Sequence, residues 1–174
     1  MASKIDLPTD TDVSPQIRET LSRLPPLNVF RLMAATPTSF QPFVDFAMSI
    51  LFGSEFDARK REIAVLRVAH VTRSKYEWTQ HVAVAKRTGV PGDEIAKIAV
   101  DGTVTTLSEE GNLLCRVADE ISRDVRLSDE ALAEIVTRYG QRQAAELILC
   151  CSYFNMLSRL LESARIELEP QSVL

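Results

Sequence analysis

The chain has 174 residues, of which 45% are hydrophobic, 25% are charged and only 6 are glycine, enough apolar material to bury a sizeable core in one domain. A formal net charge of −4 and a pI near 5.3 argue against nucleic acid or an anionic membrane surface as the main partner. No uninterrupted apolar run approaches the ~20 residues that cross a bilayer.

The opening, MASKIDLPTDTD, is polar, lacks the apolar stretch of a secretory signal, and reads as a loose arm over residues 1–12. A short helix follows Ser14, with Pro15 at its first position, where the missing N–H costs nothing. It stops at Pro25-Pro26. Leu27 to Ala35 forms a second helix, ended before Pro37. The next segment, TSFQPFVDFAMSILFG, places Phe40, Phe43, Ala47, Ile50 and Leu51 at helical spacing and stops at Gly53.

Residues 58–72 are apolar around nearly the whole helix circumference, the pattern of a helix at the centre of a bundle or an oligomer. Its partner, 74–88, carries a stripe of Trp78, Val82 and Ala85 with His81 at the edge, and Gly89 ends it. Pro91 and Asp93 open a short helix to about Val100. DGTVTT is the one stretch that could be extended, and it is too short to found a sheet. Ser108 caps a helix through about Arg126. Ser128, Asp129 and Glu130 start another that Gly140 ends. The last helix runs from about 142 to 164. The expected fold class is all-α.

Within this frame Glu62, Ser74, Glu77 and His81 stand as E-x11-S-x2-E-x3-H. At ~100° per residue, Ser74 and His81 share one helix face, with Glu77 one turn before His81. Two antiparallel helices joined near Arg73 would bring Glu62 against the imidazole, a pair able to move a proton beside a pocket. Each residue also has a structural reading: a core histidine tied to a carboxylate, or Glu62 paired with Arg59, Lys60 or Arg61. His70 is a weaker candidate of the same kind. Arg67, inside the apolar helix, must find an anion or reach water, and Asn155 and Arg159 form a polar pair one turn apart.

Cys115, Cys150 and Cys151 form an odd set without C-x-x-C spacing, so no disulfide framework is expected and a reducing cytoplasm is the default. Adjacent Cys150 and Cys151 point ~100° apart and read as core residues. Two histidines with scattered carboxylates give no metal-ligand spacing.

The motif segment 59–100, with YEW-x2-H followed by A-x3-G-x4-EI, resembles the carboxymuconolactone decarboxylase family within the AhpD-like fold. The likeness implies an all-helical domain with a central antiparallel helix pair and extra N-terminal helices. The regions are an arm at 1–55, the motif helices at 56–102 and C-terminal helices at 103–174. It also implies assembly into homo-trimers or hexamers. The peroxidase branch of that fold resembles E-x11-C-x2-C-x3-H. Here Glu62 and His81 match, but Ser74 and Glu77 occupy the cysteine positions and cannot cycle through sulfenic acid and disulfide.

The decarboxylase branch needs no cysteine. It implies a cofactor-free lyase or isomerase acting on a small carboxylated or lactone metabolite. His81, Glu62 and Glu77 would then be catalytic, while Ser74, Trp78 and Arg67 would bind substrate. The rival expectations are an alkylhydroperoxidase-type antioxidant using its cysteines, and a non-catalytic oligomeric helical binding protein.

Overall fold

Side-chain caps set most of the helix starts in the computed structural model, which describes residues 4–170. Ser14 accepts the Ile17 N–H ahead of α1 (Pro15–Arg23), and α2 (Asn28–Ala34) follows the Pro25-Pro26 break. Pro37 takes the first turn of α3 (Pro37–Phe52), and Asp57 accepts the Lys60 N–H at 2.9 Å ahead of α4 (Ala58–Val71). Ser74 caps α5 (Lys75–Arg87), α6 (Gly92–Ile98) follows, and Ser108 accepts the Gly111 N–H at 3.1 Å to begin α7 (Glu109–Arg123). Ser128 then opens α8 (Asp129–Ala164), whose helical path is broken at Gly140, with φ of 76°.

No strand occurs among the described residues, so the fold is all-α. The expected stops at Gly53, Gly89 and Gly140 stand. Helix α7 ends three residues before the expected Arg126. The break passes through Val125, held at φ of 69°, a left-handed conformation that a β-branched side chain rarely adopts. The 101–106 stretch is irregular rather than extended.

The chain forms two compact units. One contains the described residues up to Gly53 and those from Leu160, and the other spans Ser54–Arg159. In the first, the expected arm is tied down: the Ile5 N–H donates to the Ala164 carbonyl, and Lys4 pairs with Glu167. In the second, α4 is central and packs on α5, α6 and α7. Its residues from Arg61 to Ala69 are all buried, as an all-round apolar helix requires.

Helix α8 is long and apolar enough to cross a membrane by length and composition alone, but its Leu147, Cys151, Phe154 and Leu157 are core residues.

Arg67, wholly buried, uses all five N–H donors of its guanidinium. It holds Asp119 through two bonds of 2.7 and 2.9 Å, reaches the carbonyls of Ile98 and Val100 at 3.0 and 2.7 Å, and also bonds the Gly102 carbonyl. Backbone that would otherwise lack partners between α6 and α7 is thereby satisfied from α4.

Candidate active site

The turn between α4 and α5 sets the site. Arg73 takes a left-handed φ of 58°, its N–H donates to the His70 carbonyl at 3.0 Å, and the Ser74 N–H donates to Ala69 at 2.9 Å. This paired closure is the Schellman ending of a helix. Ser74 then caps α5, its Oγ accepting the Glu77 N–H at 3.5 Å. Ser74-x-x-Glu77 has the sequence of a capping box, in which the glutamate would reach back to the cap residue's N–H. That N–H is already bonded to Ala69, which leaves the Glu77 carboxylate for other work.

Three ionisable side chains meet in the interior. His81 Nδ1 lies 2.7 Å from Glu62 Oε2, and His81 Nε2 lies 3.4 Å from Glu77 Oε2. Arg61 Nε donates to the other Glu62 oxygen at 3.3 Å, and Phe154 packs edge-on against the imidazole with centroids 4.8 Å apart. Glu62 is 0% exposed, Glu77 3% and His81 9%.

Burial favours the neutral form of each group, and the neighbours decide the outcome. For Glu62, burial pushes its pKa up, but His81 and Arg61 outweigh this and hold it below the ordinary carboxylate value. For His81, burial acts downward, while the charge and hydrogen bond of Glu62, with help from Glu77, raise it overall. Glu77 is pushed up to about 7, chiefly by burial and also by the Glu62 charge, although His81 opposes the rise. The cluster thus holds Glu62 toward its anion and His81 toward its imidazolium, beside a Glu77 carboxyl that titrates at about 7. These groups exchange protons as a unit.

Of the expected site residues, the fold brings Glu62, Glu77 and His81 together. Ser74 and Trp78 instead line a cleft of about 440 Å³ beside the α4–α5 turn, and none of the three cluster residues lines it. A wet cavity touching both Glu62 and His81 was the expectation, but the pair sits in buried packing, so access requires a local opening. Arg67 has no donor left for a substrate because its guanidinium is saturated by Asp119 and backbone carbonyls.

Arg59 pairs with Glu94 at 2.5 Å and Lys60 with Glu110 at 2.8 Å, so only Arg61 of that run serves Glu62. Asn155 bonds Ser122 at 2.8 Å and also accepts from Arg159, linking α8 to α7. Phe154 was missed by sequence reasoning because nothing in its local spacing connects α8 to His81.

The cysteines are free and buried. Burial pushes the thiols of Cys115 and Cys151 up to about 12 and raises Cys150 well above its ordinary value. Thiolate, the reactive form, is therefore suppressed at all three. No group of three or more histidine, cysteine, aspartate or glutamate side chains placed to hold a metal ion occurs among the described residues.

Residues 37–120 match the Carboxymuconolactone decarboxylase family. No curated protein matches the chain. Two crystal structures share the fold. An uncharacterized peroxidase-related protein from Silicibacter sp. TM1040 is 15% identical with a TM-score of 0.80, and an alkylhydroperoxidase AhpD core protein, also peroxidase-related, from Ralstonia eutropha JMP134 is 12% identical with a TM-score of 0.82. Each alignment covers 96% of this chain and 92% of the other. At these identities the likeness carries the fold alone.

Proposed function

We propose, from the match of residues 37–120 to the carboxymuconolactone decarboxylase family, that Glu62, His81 and Glu77 form a cofactor-free proton-transfer centre. It acts as a lyase or isomerase on a small carboxylated or lactone metabolite. The observation that carries the reading is the clamped imidazole, with Glu62 on Nδ1 at 2.7 Å and Glu77 facing Nε2 at 3.4 Å. Glu62 fixes the tautomer and the charge of the ring, leaving Nε2–H as the acid. Glu77, with a pKa near 7, accepts or resupplies the proton at working pH.

In a decarboxylation the carbon–carbon bond to the carboxylate breaks and carbon dioxide leaves. The electron pair delocalises onto a conjugated carbonyl, and His81 Nε2 delivers one proton to carbon. In an isomerisation the same groups remove a proton and return it at another carbon. The thiol route has little support: Ser74 and Glu77 stand where a dithiol would need cysteines, and the three thiols are buried with raised pKa values.

The test is incubation with a panel of unsaturated lactone acids and keto acids in D2O, following carbon dioxide release and deuterium incorporation. A substrate turned over by the wild type is expected to lose at least ~100-fold in rate with both Glu77→Gln and His81→Asn, the scale of a lost general acid or base. Undiminished turnover in the two variants removes the cluster from the chemistry.

A further inference from the structure

The cleft at the α4–α5 turn has a composition of its own. Arg73, Lys75 and Arg123 line it with the indole of Trp78 and the imidazole of His70, and Asp101 is the single carboxylate among its walls. Its volume of about 440 Å³ falls in the range of small-ligand sites.

Asp101 and Asp119 are the acidic groups placed beside His70 and Arg123, and neither pairs with Arg73. The Asp101 side chain is fully exposed and lies 3.6 Å from His70 Nε2. Asp119 is 3.8 Å from Arg123 but is held more closely by Arg67 at 2.7 Å. Arg73 is the informative residue. It occupies a left-handed position where glycine is the ordinary choice, and its guanidinium makes no ion pair among the described residues. A cation kept where the backbone disfavours a side chain points to a use for that side chain. Trp78 is half-buried and meets His70 in an inclined ring contact with centroids 6.1 Å apart, and its indole gives the cleft an apolar wall.

We propose that this cleft binds a small planar carboxylate, its charged end held by Arg73 and Arg123 and its flat body laid against Trp78. Guanidinium groups match a carboxylate through paired hydrogen bonds, and an indole face stacks on a conjugated ring. Ser74, in the cleft wall, and His81 lie on one face of α5, two turns apart. The inference rests on the proton-transfer reading only in calling the ligand a substrate; binding is read without turnover.

Trp78 is the only tryptophan of the chain, so its emission reports the cleft directly. Titration with benzoate is expected to give a saturable change that weakens as salt screens the charges. Arg73→Gly, which relaxes the left-handed position and so keeps the fold, should raise the benzoate Kd at least tenfold, and Arg123→Gln should act in the same direction. Retained affinity in Arg73→Gly, equal binding of neutral benzamide, or inorganic phosphate binding as tightly as benzoate each overturns the proposal. His81→Asn should keep benzoate binding while losing turnover. Absence of any benzoate response would sink the cleft assignment and leave the buried cluster untouched.

Discussion

Glu62 and Glu77 are the same residue type, both buried within a few ångströms of one imidazole, and their protons behave in opposite ways. Glu62 has two cationic neighbours, Arg61 and His81, and stays ionised; Glu77 has only the longer 3.4 Å approach to His81 and feels the charge of Glu62. Ionising Glu77 therefore opposes folding. Its pKa rises from 4.5 to about 7 on folding, so the folded state binds more protons between those values. Stability falls across that window and is fully reduced above it, by roughly 3 kcal/mol at most. Glu77→Gln keeps the shape of the protonated form. It is expected to leave stability near unchanged at pH 5 and to raise it at pH 8, measured by urea unfolding at both values. Equal effects at the two pH values would mean that Glu77 is not the group titrating near neutrality. At this scale the sequence was partly legible. The spacing E-x11-S-x2-E-x3-H placed Glu62, Glu77 and His81 near one another, but nothing local distinguished the roles of the two glutamates. The distinction comes from Arg61 and from burial.

Helix α5 illustrates how an element's type can be legible while its orientation is not. Its apolar stripe of Trp78, Val82 and Ala85, with His81 at the edge, does not mark the buried side. Glu77, His81 and Ala85 are the buried side, while Trp78 and Val82 are half-exposed. The physical reason lies in α4: with Glu62 and Arg61 buried there, the interior supplies partners for a carboxylate and an imidazole, and burying charge becomes tolerable when it is paired. Arg67 makes the same point more strongly. Its guanidinium joins α4 to Asp119 of α7 and to the carbonyls that follow α6, so it fixes the path of the connection between α6 and α7. Arg67→Met leaves Asp119 and three carbonyls without this partner. The expected loss is about 3–5 kcal/mol, the cost of breaking a buried ion pair. It would be seen as a lowered denaturation midpoint, with faster hydrogen exchange over 99–106. A change within the range of a surface substitution would show that Arg67 does not hold that connection.

Across the whole molecule, these groups predict the pH at which the fold is firmest. Glu62, with a lowered pKa, contributes stability above its ordinary value of 4.5 that is lost as pH falls through the depressed folded value. His81, with a raised pKa, contributes below 6.5, and that contribution is lost as pH rises through its folded value. Glu77 adds a further decline between 4.5 and about 7. The maximum is expected near pH ~5, on the acid side of neutrality, in thermal melts taken from pH 3 to 9. A maximum at pH 8 would contradict the charge assignment of the cluster. By itself the sequence determined the all-α class and most boundaries, because Ser14, Ser108, Ser128, Gly53, Gly89 and Gly140 act through their own backbone neighbours. It also determined that Glu62 and His81 would meet, since a short turn near Arg73 leaves two paired helices little freedom. Only the tertiary structure decided which side of α5 turns inward, that Phe154 closes over the imidazole, and that Arg67 is spent on the scaffold. Those outcomes depend on partners on other helices, distant along the chain, and burial and charge pairing act through space rather than through sequence.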